Sequence, residues 1–176
     1  TSFNPVMTVG DQVAEMIRTH STCGRTEARA RAVEWLGRVG IPRPEEAYDA
    51  YPHELSGGLK QRAMIAMALS ADPKVVVADE PTTALDVTVA RQVLELLNDL
   101  KRERGLTLIF ITHDLALLPG IADRVALMYA GEIVEMAPTE AFLAHPEHPY
   151  AQALLGALPR PDGAPLQPVE GSVPNL

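Results

Sequence analysis

The chain has 176 residues, 47% of them apolar, and a net charge of −8, which allows a real core and excludes a global positive field for nucleic acid or an anionic membrane surface. Its single cysteine, Cys23, excludes an internal disulfide framework and a thiolate-built zinc or iron–sulfur site within the chain, and fits a reducing setting. No apolar run approaches the roughly 18 residues of a spanning helix and no charged-then-apolar leader opens the chain, so a membrane role is expected to come through a partner.

The chain enters directly at Thr1-Ser2-Phe3-Asn4-Pro5, with no methionine and no preceding strand, and a fragment or processed product is therefore expected. Val9, Val13, Met16 and Ile17, and then Ala28, Ala32, Leu36 and Val39, recur at helical spacing and predict two amphipathic helices. Ser21 to Gly24 and Ile41 to Pro44 carry loop chemistry. Val75 to Ala78 and Leu108 to Ile111 are apolar runs without alternation, as strands buried on both faces require. Val89, Val93, Leu96, Leu97 and Leu100 mark a helix between them, which makes a right-handed βαβ unit of a parallel sheet. Val125 to Tyr129 and Ile133 to Met136 flank Ala130-Gly131 as a hairpin, and Thr139 is placed to cap a short helix ending near His145. From Pro159 prolines are too frequent for regular structure, and an extended or disordered tail is expected.

Three stretches carry chemistry. Val75 to Ala78 runs into Asp79-Glu80-Pro81-Thr82-Thr83, and ligands of open α/β sheets collect at the carboxyl ends of strands. Alternation aims the two carboxylates differently, so Asp79 can organise Mg²⁺ through its waters while Glu80 polarises an attacking water. Alone, the pair reads equally well as solvated acids before a proline turn. Leu55-Ser56-Gly57-Gly58-Leu59-Lys60-Gln61-Arg62 opens a helical run. Its amides, hydroxyl and dipole suit a phosphate, although an ordinary serine N-cap gives the same pattern. His113 follows the second buried strand in Thr112-His113-Asp114, where it would lie beside the strand carrying Asp79 and Glu80. A neutral imidazole there can bond a phosphate or water, or satisfy a helix start.

Taken in order, these stretches resemble the ABC ATPase family across essentially the whole chain. Leu55 to Arg62 is similar to its signature motif, Val75 to Glu80 to its Walker B strand with the catalytic glutamate, Ala84-Leu85-Asp86 to its D-loop and His113 to its switch histidine. The resemblance implies an α/β fold with a P-loop NTPase-type parallel-sheet core, incomplete here. It also implies a helical signature subdomain at 1–55 with its helix running to about 71, the core at 72–137 and a C-terminal extension at 138–176. ATP and Mg²⁺ are the implied substrate and cofactor. Glu80 would be the general base, Asp79 would support Mg²⁺, His113 would sense the γ-phosphate, and Ser56, Gly57 and Gly58 would contact ATP held by an opposing subunit, with Asp86 communicating between sites. Leu59 departs from the family's glutamine and reads as a subfamily marker.

Thr1 to Gly10, and His145-Pro146-Glu147-His148-Pro149-Tyr150 with the Gln152 to Leu155 and Pro159-Arg160-Pro161 stretches after it, resemble the dipeptide and oligopeptide importer branch, which nickel importers share. That branch implies a second ATPase subunit, two membrane permeases and an extracytoplasmic substrate-binding protein as partners, at the cytoplasmic face of a bacterial or archaeal membrane. His145 and His148 are too few to fill a metal's coordination sphere, and no iron–sulfur cluster is expected. A non-transport ABC ATPase acting on nucleic acid is disfavoured by the acidic charge. No Gly-x-x-x-x-Gly-Lys-Ser/Thr occurs in the sequence, and that loop holds the β- and γ-phosphates. The stretch alone is therefore expected neither to bind ATP tightly nor to hydrolyse it, and to associate through uncovered strands.

Overall fold

The computed structural model describes residues 3–83 and 85–158, so the expected tail from Pro159 lies outside the described residues. It divides into two compact units, Thr1–Ile111 and Thr112–Leu176.

The first unit opens with helix α1 (Val9–His20), whose N-cap Thr8 accepts from the Asp11 amide at 3.2 Å. Asp11 lies in its first turn and Arg18 and His20 in its last, which matches the helix dipole at both ends. Val9, Val13 and Ile17 form its buried stripe and pack with Ala28, Ala32, Trp35 and Leu36 of α2 (Arg25–Arg38). The buried Gln12 amide accepts from the Asn4 amide and donates to the carbonyls of Asn4, Met7 and Thr8, holding the opening segment onto α1. Ile41 to Pro44 is a loop only up to Arg43, whose φ of +48° turns the chain into α3 (Pro44–Asp49). Proline at the first helical position costs no hydrogen bond, so a residue read as loop chemistry starts a helix. Tyr48 of α3 is buried against α1 and donates to Asp11 at 2.9 Å. Burial and that bond push its phenol above the usual range.

Helix α4 (Gly57–Leu69) buries Ala63, Ile65, Ala66 and Leu69. Strand β1 (Val75–Asp79) then leads through α5 (Val87–Arg104) to the parallel β2 (Thr107–Ile111), in register from Val75 opposite Thr107 to Asp79 opposite Ile111. Asp86 caps α5 by accepting from the Val89 amide at 3.0 Å, and Gly105 ends it at φ +60° behind Lys101, Arg102 and Arg104. Both strands depart from the expected burial on two faces. Val76 and Leu108 pack on the core with Val93, Leu97 and Leu100 of α5, but Val75, Val77, Ile109 and Ile111 are 52%, 60%, 49% and 46% exposed. The two-residue period of a strand sends alternate side chains to opposite faces, and α5 covers one of them.

The second unit holds the antiparallel hairpin β3 (Arg124–Tyr129) and β4 (Glu132–Pro138), joined by Ala130 and Gly131 at φ +51° and +81°. Positive φ at both loop positions is the geometry whose twist suits a two-residue hairpin. Helices α6 (Thr139–Ala144) and α7 (Pro149–Gly156) follow, and Phe142 and Ala151 are buried with Leu118, Val125 and Leu127. Thr139 is not the cap of α6: it is the first helical residue, and its hydroxyl is turned inward to donate to the Ala122 carbonyl at 2.7 Å.

Gly10 sits under the Tyr48 ring, where any Cβ would fall inside the ring atoms. Gly10→Ala is therefore expected to destabilise the first unit by about 1–3 kcal/mol, read as a lower urea midpoint at unchanged slope.

Candidate functional site

Ser56 is the N-cap of α4, its Oγ accepting from the Leu59 amide at 3.4 Å. Ser56 and Gly57 are both exposed, so the capping role leaves the amide end of the helix open to an anion. Behind it the helix is held closely. A Cβ on Gly58 would overlap Val89 Cγ1 of α5, and one on Gly57 would lie 3.5 Å from Leu85. Gly58 therefore lets two helix N-termini approach within side-chain contact, a packing requirement separate from phosphate binding.

One turn further along α4, the Arg62 guanidinium donates through Nη1 to the Val39 carbonyl at 2.7 Å and through Nη2 to Gln92 Oε1 at 3.1 Å. It thus ties α4 both to the end of α2 and to α5. Two guanidinium groups approach the ring of Trp35 of α2, Arg38 at 4.9 Å and Arg104 at 4.4 Å from its centre, and Arg38 pairs with Glu103 of α5. The helical region and α5 are consequently joined by side-chain bonds at both ends of α5. The contacts that Arg62, Val89 and Gln92 make are not legible in the sequence, because their partners lie more than twenty residues away.

Asp79 is the last residue of β1 and exposed, opposite Ile111. Glu80 leaves the strand at φ +44°, the left-handed region that a non-glycine residue rarely adopts. Its amide donates to the Ile111 carbonyl at 3.0 Å, and its Oε2 accepts from Thr83 Oγ1 at 3.0 Å. The strand end, the turn and the start of α5 thus follow one another in the first unit as Asp79, Glu80, Thr83 and Asp86. Asp86, beyond packing its cap onto Val89, is itself exposed. The donor chemistry suits Mg²⁺, which takes one or two carboxylates and fills its remaining positions with water and substrate phosphates. Asp79 offers such a carboxylate. His113 belongs to the second unit, two residues past the end of β2, and is exposed; Asp114 caps the short 3-10 helix Leu115–Leu117 that follows, accepting from the Ala116 amide at 3.0 Å.

In the C-terminal stretch the His-Pro-Tyr residues have a structural explanation. His148 is the N-cap of α7, its Nδ1 accepting from the Tyr150 amide at 3.1 Å, and Pro149 is the first helical residue. Glu135 of β4 accepts from the amides of Glu147 and His148 at 3.1 and 2.8 Å, and Tyr150 stacks on Tyr129 with centroids 4.6 Å apart.

Two family patterns match this chain: ABC transporter over residues 1–83, and oligopeptide/dipeptide transporter, C-terminal region, over 134–176. Similar curated proteins include the dipeptide transport ATP-binding protein DppD of Bacillus subtilis, 46% identical over all of this chain and 53% of its own length. The oligopeptide transport ATP-binding protein OppD of the same organism is 48% identical over all of this chain and 50% of its own length. The glutathione import ATP-binding protein GsiA of Escherichia coli is 52% identical over 91% of this chain and 26% of its length. The chain thus spans about half the length of the first two. Among solved structures, the dimeric post-hydrolysis state of an ATP-binding cassette bound to ADP and Pi matches with a TM-score of 0.67 and 29% identity, over 77% of this chain and 58% of that one.

The approach of α4 to α5 gives a direct check. Gly58→Ala is expected to lower stability by about 1–3 kcal/mol, and adding Val89→Ala to return most of that loss, measured by urea unfolding.

Proposed function

This chain belongs to the ABC transporter family, in the branch whose C-terminal region is that of oligopeptide and dipeptide transporters, and from that premise we propose that it forms the signature-bearing and hydrolytic part of an ATPase subunit driving peptide import. The observation that carries the proposal is the pairing, within one unit, of an open, Ser56-capped helix start with a strand that ends at Asp79 and is followed by Glu80, the two joined through α5. In this reading residues 1–55 form the signature subdomain with its helix running to about 71, 72–137 the α/β core and 138–176 the extension.

The reaction assigned to the site is hydrolysis of the β–γ phosphoanhydride bond of ATP. Water attacks the γ-phosphorus, its proton passes to the Glu80 carboxylate, and the bond to the ADP oxygen breaks. Asp79 would hold Mg²⁺, which neutralises phosphate charge when bound. Ser56 and the amides of Gly57 and Gly58 would meet the γ-phosphate of a nucleotide held by a second ATPase subunit, whereas His113, with Glu80 and Asp79, would sense the γ-phosphate of the nucleotide held by its own subunit. No Gly-x-x-x-x-Gly-Lys-Ser/Thr occurs in these 176 residues, so the phosphate-cradling half lies outside them. Two membrane permeases and a substrate-binding protein complete the proposed assembly, with the ATPase at the cytoplasmic membrane face. Among the described residues no helix is long and apolar enough to cross a membrane.

The cargo is proposed to be a short peptide, supported by relatives named for dipeptide, oligopeptide and glutathione transport. In a Mg²⁺-dependent phosphate-release assay, the 176-residue chain is expected to be silent and the same chain extended through the phosphate-binding loop to turn over. Glu80→Gln in the extended protein is expected to lower kcat by about 10²–10⁴-fold with ATP binding retained. Turnover by the short chain would contradict the assignment of its missing half.

A further inference from the structure

We propose that Thr83 is a positioning residue that fixes the aim of the Glu80 carboxylate; the inference rests on the reading of Glu80 as general base. Three bonds define the local geometry. The Glu80 amide donates to the Ile111 carbonyl at 3.0 Å, which pins the backbone of Glu80 to the end of β2. The Thr83 amide donates to the Glu80 carbonyl at 3.1 Å, closing a turn through the buried Pro81. The Thr83 hydroxyl then returns to Glu80 Oε2 at 3.0 Å. One residue therefore holds both the carbonyl and the carboxylate of Glu80.

The need for such a hold follows from the backbone. Glu80 is exposed and sits at φ +44°, and its long side chain leaves the sheet at a point where β1 has already ended. A base that must take a proton from one water molecule needs its oxygen held to about 0.5 Å. Proline at the second position of the turn fixes the local φ, and the β-branched Thr83 has a stiff χ1, so the hydroxyl direction is set by the turn itself. The Leu85 amide donates in turn to the Thr82 carbonyl at 3.2 Å, and Asp86 follows as the cap of α5. The carboxylate is thereby connected, bond by bond, to the helix that packs against Gly58. A hydroxyl at residue 83 that merely filled space would serve equally well as a methyl group, and this separates the proposal from a packing role.

The test uses the full-length protein, extended through its phosphate-binding loop, with kcat and KM for ATP measured on Thr83→Val, Thr83→Ser and Glu80→Gln, singly and with Thr83→Val combined with Glu80→Gln. Thr83→Val keeps the shape and removes the donor; it is expected to lower kcat about 10-fold with KM unchanged within about 2-fold. Thr83→Ser keeps the hydroxyl and is expected to stay within about 3-fold of the parent, and Thr83→Val is expected to change nothing further once Glu80 is glutamine. Melting temperatures of all variants accompany the kinetics, so that Thr83→Ser reports on the hydroxyl even where valine disturbs folding. A Thr83→Val protein with the parent's kcat, or one whose loss persists in the Glu80→Gln background, would overturn the role of Thr83 while leaving Glu80 as base. A Glu80→Gln protein with the parent's turnover would remove the base assignment itself and the inference with it.

Discussion

The close approach of two helix starts, α4 at Gly58 and α5 at Val89, is the constraint on which the rest of the first unit depends. A Cβ at position 58 would overlap Val89 Cγ1, so the amide end of α4 is placed against the start of α5. Asp86 fixes that start by capping it. Arg62 adds a second tether one turn along, binding the carbonyl at the end of α2 and Gln92 of α5. A guanidinium suits this task because its rigid fork reaches two acceptors at once. The Ser56-capped end of α4 and the acidic end of β1 are thus parts of one bonded framework, and a shift of either helix is felt by both.

That framework also explains which residues the sequence announces. Ser56, Gly57 and Asp79 are legible because each stands at the boundary of an element, where capping and strand-end chemistry act locally, whereas Asp86 entered only through the resemblance of its stretch to the family's D-loop. The helical periods of α1, α2 and α5 are legible for the same reason: their buried stripes recur every three or four residues. The contributions of Val89, Gln92 and Thr83 depend on turns and on pairs tens of residues apart or on one backbone angle, φ at Glu80, that no composition signals. Pro44 misleads in the other direction, since proline breaks helices in their interior and begins them at their first position.

The apolar runs of β1 and β2 show the limit of reading burial from composition. Both sequences are written for two covered faces, yet Val77 and Ile109 are open to solvent while Val76 and Leu108 lie on the core. Pattern reports what a strand tolerates; the neighbours present decide what it buries. In the second unit the opposite holds. The His-Pro-Tyr stretch is explained by contacts within that unit: a histidine cap, a proline at the first helical position, and a tyrosine on Tyr129, with Glu135 receiving two amides of the turn.

The central claim is that Ser56 to Gly58 act on nucleotide held by another subunit, whereas Glu80 acts on nucleotide held by its own. Mixed dimers of the full-length protein separate the two directly, with Glu80→Gln and Gly57→Asp, at an exposed position where a Cβ meets only Leu85 at 3.5 Å, placed either on the same subunit or on opposite subunits, and ATP turnover measured for each. With the changes on opposite subunits one composite site stays intact and about half the parent's turnover is predicted, whereas with both on one subunit both sites are lost. The reverse result, activity with both changes on one subunit and none with them apart, would contradict the account.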